Sequence, residues 1–408
     1  MNVLISGASV AGPVLAYWLT RYGFTVTVVE RAPALRKAGG HAVDLFRPAM
    51  DIVEKMGVLD RVQAGRTGTE RLTLWTPGRA RPVELELRKL MPAVSSRHVE
   101  IMRDDLSEIF YDATRDDVEY VFDDSITSIS EAGEVTFERG PGRSFDLVIG
   151  ADGLHSNVRR LVFGPESRFT TWIGAYLAVV SLPDHFGRDD RVEGVVGVGR
   201  MAAYGAARPS DARAAFFFRT PEPLDYHHRD VPRQKELLRE HFADLGWEVP
   251  RLLRELDSTP AFYFDSITQL HLDTWSRGRV TLVGDAGYCP GPAVGGSTSL
   301  AVVGAYVLAG ELAAAGGEPA RAFPAYEAEL AAYVRRSRAF AVGVAKRLVP
   351  RSRTDLWALL QGMRLINHLP AGLTRAVSTL GAKGARLHDS FALKDYARYE
   401  VASGQHSL

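Results

Sequence analysis

Three apolar, β-branched runs that stop at glycine, a strand–turn–helix–strand opening and a strand-rich middle predict an α/β protein. The expected architecture is a Rossmann-like domain with an inserted antiparallel β-sheet domain and C-terminal helices. The runs are "VLISGASVAG" from Val3, "FDLVIGADG" from Phe145 and "RVTLVGDAGYCPGPAVGG" from Arg279. Open α/β sheets bind ligands beyond the carboxyl ends of their strands. Three such ends meeting at one rim would explain all three transitions together.

In chain order, "NVLIS" is a short apolar strand, "GASVAG" a turn, "PVLAYWLTRYG" has helical spacing, and "FTVTVVE" alternates as a strand does. Residues 47–63 and 103–114 read as amphipathic helices, and "DSITSISEAGEVTFERGPGRSFDLVIG" as three short strands. The texture changes between 168 and 270. There "TWIGAYLAVVSLP", "RVEGVVGVGRMAAYGAA" and "ARAAFFFRTPE" are strand-rich, and "RQKELLREHFADLG" is helical. "GVVGVG" has no helical stretch directly behind it, so it reads as a glycine-bearing strand or bulge rather than a second phosphate turn. Residues 298–316 and 321–347 read as long Ala- and Leu-rich helices, and "RSRTDLWALLQGMRLINHL" and "AGLTRAVSTLG" add helical character. The expected units are 1–167 and 271–345 for the two parts of the first domain, 168–270 for the inserted sheet, and 346–408 for the terminal helices.

The chain has 408 residues, 46% hydrophobic and 24% charged, which suits a globular protein of two domains or one large domain with an insertion. Its 49 basic and 49 acidic residues cancel, which argues against a nucleic-acid partner. A single cysteine, Cys289, excludes an internal disulfide, a CxxC redox pair and a cysteine metal site, and makes a reducing, cytoplasmic setting the default. No run approaches the roughly 20 uninterrupted apolar residues of a membrane span. The N-terminus lacks the basic start of a signal peptide. The eleven histidines show no HExxH spacing, and no Ser-His-Asp set presents itself. Oligomeric state has no signal here.

Gly7-Ala8-Ser9-Val10-Ala11-Gly12 has the shape of a dinucleotide turn. Such a turn needs one glycine to bend, a small second residue to admit the pyrophosphate, and a third for close helix–strand packing. Ser9 stands at the second position. Glu30 lies 18 positions beyond Gly12, at the end of the second strand, where a carboxylate can bind ribose hydroxyls. Asp285 ends the third run. The glycine-rich loop behind it and the helix beginning near Ser297 would offer backbone N–H groups and a positive helix end, which together make an anion site.

Taken together, "GASVAG…VVER", "IMRDDL", "DLVIGADGLHSNVR" and "GRVTLVGDAGYCPGPAVGG" resemble the single-component FAD-dependent aromatic hydroxylases, the class A flavoprotein monooxygenases, including their tetracycline-inactivating branch. The resemblance spans about residues 1–165 and 270–345. It implies an FAD-binding domain in which Gly7, Ser9, Val10, Ala11 and Gly12 hold the diphosphate and Glu30, with Arg31 beside it, meets the adenosine ribose. Arg103 would reach the ribityl or phosphate region. Asp285, Pro292, Gly295, Gly296 and Ser297 would border the flavin, with the helix end favouring the anion of its reduced form. Asp152 and Arg159 belong to a motif that serves FAD and the reducing nucleotide. "KAGGHAVDL" resembles the segment beside the isoalloxazine, with Asp44 approaching the ring and Lys37 a candidate for NADPH or NADH phosphate. The family often has Ala-His at Gly287-Tyr288, Gly-Gln-Gly at Gly295–Ser297, and Asn at Ser299.

The implied reaction uses NADPH or NADH and O2 to hydroxylate an aromatic or polyketide-like molecule through a flavin C4a-hydroperoxide, with the flavin rather than a side chain carrying the chemistry. Strand alternation in "ARAAFFFRT" puts Phe216 and Phe218 on one face and Phe217 on the other. Phe216, Phe218, Tyr204 and Met201 are the substrate-contact candidates, with core packing as the competing reading of each. The tryptophan-rich segment of flavin halogenases and the paired cysteines of flavin disulfide reductases are missing. A flavin-dependent reductase of isoprenoid-type double bonds and a non-catalytic flavin-fold binding protein stand as alternatives.

Overall fold

Val3, Leu4 and Ile5 have no exposed surface, which is what a strand covered on both faces requires. The computed structural model, which describes residues 1–35, 40–87, 95–186, 191–206, 212–294, 296–368 and 389–401, builds them into a six-stranded sheet. Its order is Ser276–Arg277, Val280–Leu282, Leu147–Gly150, Asn2–Ser6, Thr25–Glu30, Glu119–Phe122; every pairing is parallel except that of the Ser276–Arg277 edge. Register aligns the strand ends. Ser6 pairs with Val29 on one side and with Gly150 on the other, and Gly150 pairs with Leu282. The glycine transitions therefore leave the sheet at one level, side by side. Glu30 ends one strand and Asp285 follows another three positions away, about 14 Å at the ordinary strand spacing.

The helices Ala11–Arg21 and Ser297–Ala314 pack against each other, with Trp18 edge-on to Tyr306 at 4.9 Å. Ser297–Ala314 is apolar all round and buried from Ser299 to Leu312. Its length and composition would also suit a membrane span, but such a helix equally forms the centre of a large core. Gly304 lets the Tyr288 hydroxyl approach, since a Cβ there would lie 1.9 Å from it. That hydroxyl also bonds Tyr326 at 3.0 Å, so the Gly287-Tyr288 departure is absorbed by the core.

The second sheet has seven strands in the order Phe262–Leu270, Thr170–Ser181, Ala212–Phe218, Arg200–Ala206, Arg191–Gly197, Arg71–Trp75, Val83–Glu86. The insertion supplies five of them. The last two come from the segment that the sequence assigns to the first domain, and Arg71–Trp75 joins in parallel to Arg191–Gly197. Residues 194–199 form the end of one strand and its turn, as the glycine-bearing-strand reading expects.

Two local readings change. The helix predicted over 47–63 is two, Arg47–Lys55 and Leu59–Ala64, because Gly57 adopts φ +73° between them. The three strands expected before Ala151 are four, since Arg143–Ser144 pairs with Glu134–Phe137. At the C-terminus Pro319–Leu348 and Arg353–His368 are helices, while "AGLTRAVSTLG" falls outside the described residues.

Candidate functional site

The rim holds a cleft lined from Glu30 and the Gly7–Ala11 turn, past Arg103 and Asp152, to Asp285, Pro292 and Ser297. The turn is tight for visible reasons. Gly7 sits at φ +110° with its N–H on the Val29 carbonyl at 2.8 Å, and a Cβ there would lie 2.5 Å from the Ala151 carbonyl oxygen. A Cβ on Gly12 would lie 1.9 Å from the Gly7 carbonyl oxygen. The helix Ala11–Arg21 has no side-chain cap, so its first N–H groups face the cleft, a ready anion site. Ser9 is exposed there, its hydroxyl 3.3 Å from that of Ser107.

Glu30 accepts the N–H of Ala8 at 2.9 Å and that of Ala32 at 2.8 Å, which holds the carboxylate at the turn. A carboxylate has about four acceptor positions, so capacity remains for hydroxyls. Arg31 lies alongside in the cleft wall. At the far end Asp285 follows Gly284, which takes φ +67° to turn the chain. Burial raises the Asp285 pKa above the ordinary carboxylate value, opposed by a hydrogen bond with Cys289 and by the charge of Arg103. Gly296 adopts the left-handed conformation before the helix Ser297–Ala314, which is also uncapped by a side chain. Pro292, Ser297 and Thr298 line this end, and Gly296 does not.

Asp152 lines the middle but spends its carboxylate locally. It accepts the N–H groups of Asn157 (2.9 Å) and Val158 (3.0 Å) and the Ser156 hydroxyl, and so caps the helix Asn157–Val162. Burial raises its pKa as well. Arg159 is fully buried and binds the Leu154 carbonyl, the Glu166 carboxylate (2.6 Å) and the Ala286 carbonyl (2.9 Å). It ties the Asp152 loop to the Asp285 turn and lies behind the cleft wall.

Several predicted residues stand elsewhere. Asp44 is absent from the wall, and its carboxylate pairs with the His98 ring at 2.6 Å. Ser299, at the family's Asn position, donates to the Asp44 carbonyl and accepts the Phe46 N–H, both at 2.9 Å. Lys37 and Gly295 lie outside the described residues. Phe216, Phe218 and Tyr204 are corrected: they face the helices Val231–Phe242 and Val249–Arg254 in a sealed core, with Phe216 edge-on to Phe242 at 5.1 Å. The alternation is as expected from the sequence, and both faces are covered, each by different elements. Met201 and Phe217 lie on the opposite face, with Leu177, Val179 and Ile267, against Val294 of the glycine-rich loop and against Ala341, Ala345 and Val349 at the end of the helix Pro319–Leu348. Neither Met201 nor Phe217 lines the cleft.

The cleft also contains residues that motif reading missed. His41, Tyr263 and Asp265 line its inner end, and His155 and His228 also line it. His155 hydrogen-bonds Glu166 at 2.9 Å and Asp265 at 3.0 Å. Burial lowers its pKa, but those two carboxylates outweigh burial and raise it to about 10. His228 stacks on it at 4.3 Å and 10°, and burial and the His155 charge lower its pKa to about 4. The missed signal for Asp265 was a lone carboxylate inside the apolar run "FYFDSITQL". Among the described residues no group of three or more His, Cys, Asp or Glu side chains is arranged to hold a metal.

The glycines admit a backbone-hugging diphosphate, the carboxylates at the two ends suit hydroxyl and ring N–H groups, and two uncapped helix ends favour negative charge. These features fit a flavin dinucleotide. Comparison with known proteins agrees. The family described as "FAD binding domain" matches residues 1–347. A flavin-dependent monooxygenase of Legionella longbeachae is 38% identical over 350 residues, covering 85% of this chain and 89% of that one. An uncharacterised protein of Mycobacterium tuberculosis is 46% identical over 341 residues, covering 82% and 91%. The crystal structure of the tetracycline destructase Tet(51) superposes with a TM-score of 0.80 at 33% identity, over 97% of this chain and 99% of that one.

Proposed function

Because this chain belongs to the FAD binding domain family and is an FAD-dependent monooxygenase, we propose that it uses NADPH or NADH and O2 to hydroxylate a small aromatic or polyketide-like molecule. One observation carries the reading: a single rim brings the Gly7–Gly12 turn, Glu30, Arg103, Asp152 and Asp285 to one cleft. In this reading the turn and the uncapped helix behind it hold the diphosphate, Glu30 and Arg31 the adenosine end, and Arg103 the middle. Asp285, Pro292 and Ser297 border the ring. Asp152 acts through the backbone it caps, setting the Gly153–Leu154 segment. When bound, the flavin supplies the hydride acceptance and oxygen activation that no side chain offers.

The chain's own residues position that chemistry and keep water from it. Val43, Val283 and Ala301 give the wall apolar stretches, and the helix end at Ser297 favours charge that grows on reduction. The substrate lies against the sheet face of Met201 and Phe217, where it meets the glycine-rich loop. The likeness to a tetracycline destructase supports a polycyclic substrate.

The test is a substrate panel. Purified protein should be yellow, and a phenolic or polyketide compound should stimulate NADPH or NADH oxidation with a product heavier by one oxygen. Protein that retains no flavin, or that adds oxygen to none of the compounds, would overturn the proposal.

A further inference from the structure

His41 stands at the inner end of the cleft with the backbone around it fixed. Its carbonyl accepts the Arg103 N–H at 3.1 Å, and the neighbouring Gly40 N–H bonds the Asp104 carboxylate at 2.7 Å. The Gly40 carbonyl accepts Nε–H of Arg213 at 3.3 Å. Gly40 has no room for a side chain, because a Cβ would lie 2.5 Å from the Asp104 carboxylate. The imidazole leans on the Tyr263 ring, centroids 5.7 Å apart at 40°.

Its two nitrogens differ. Nδ1 is sealed from solvent and has no partner among the described residues. An orphaned buried N–H is rarer and harder to tolerate than an under-used acceptor. A neutral imidazole carries one proton, so the ring leaves Nδ1 bare and carries its hydrogen on Nε2. Burial and then the Arg103 charge push its pKa down to about 3, which favours the neutral ring. His41 is thus an uncharged donor at neutral pH, and it lines the cleft.

We propose that His41 donates its Nε2–H to an acceptor atom on the polar edge of the bound isoalloxazine and so holds the ring in place. The inference rests on the reading of the cleft as a flavin site. A donor aimed at an atom that gains negative charge on reduction binds the reduced ring more tightly than the oxidised one, because charge-assisted hydrogen bonds are about twice as strong.

The experiment uses the purified protein loaded with FAD at neutral pH. His41→Phe should hold oxidised FAD within about threefold of wild type by fluorescence titration, yet lose about tenfold in its preference for reduced FAD. That is a midpoint potential lower by about 30 mV for a two-electron couple. His41→Gln, which keeps an N–H donor, should restore most of the difference. If the variants fold, bind FAD and show wild-type potentials, the inference falls while the flavin site stands; if wild-type protein takes up no FAD, both fall. A measurement on the wild type serves should the variants not fold: in 15N-histidine-labelled protein, FAD should slow exchange of one Nε2–H. No protected imidazole proton on FAD addition overturns the proposal.

Discussion

Arg159 shows how much one buried side chain can organise. Its guanidinium reaches the Leu154 and Ala286 carbonyls and the Glu166 carboxylate from a position with no solvent contact. Removing it leaves the buried Leu154 and Ala286 carbonyls without their donor, about 1–3 kcal/mol for each buried group left unsatisfied, while Glu166 keeps His155 as a partner. Arg159→Met should therefore lower unfolding stability by that order in urea melts, with flavin affinity falling as a consequence of the shifted Asp285 turn. A loss below about 1 kcal/mol would mean that the contacts behave as surface ones. Gly12 is a sharper probe of the cleft. Since a Cβ would lie 1.9 Å from the Gly7 carbonyl oxygen, Gly12→Ala must displace the turn or the helix start. Tenfold or weaker FAD binding by fluorescence titration is expected, and unchanged binding would remove the turn from the diphosphate site.

At the scale of elements, the strand Ala212–Phe218 sends alternate side chains into two different apolar clusters. Phe216 is sealed beneath Val231–Phe242, whereas Phe217 looks toward the glycine-rich loop. Phe216→Ala should cost about 3–5 kcal/mol in stability, the usual range for an aromatic cavity. Phe217→Ala, also in a buried cluster, should in addition change which compounds stimulate NADPH oxidation in a substrate panel if the substrate lies on its face as proposed. The reverse pattern would place the ligand on the other face. Period-two alternation was legible in "AAFFF", but the covered face was not. That choice depends on Leu237, Leu238 and Phe242 arriving from a helix further along the chain. The division of 47–63 was harder to read because Gly57 interrupts an otherwise continuous amphipathic pattern.

Across the whole molecule, His155 joins the two sheets. It lies in the loop after Leu147–Gly150, and its ring reaches Asp265 on the long strand of the second sheet. Its folded pKa of about 10 lies above the unfolded value near 6.5. The native state therefore holds the proton in a window where the unfolded chain has lost it, and stability falls with rising pH there. The contribution is complete below about pH 6.5 and gone above about pH 10. Denaturant midpoints taken from pH 6 to 9.5 should decline in wild type and flatten in His155→Gln, and parallel curves would refute the coupling. The sequence by itself determined the parallel sheet, the glycine turn, and the carboxylates Glu30 and Asp285 at strand ends, because strand period and glycine conformation are local properties. Tertiary structure alone decided that Asp44 turns to His98 rather than into the cleft, that Arg159 stands behind the wall, that Arg71–Trp75 joins the second sheet, and that His41, Tyr263 and Asp265 enter the cleft. Those outcomes depend on which distant segments pack together, and no spacing along the chain records that.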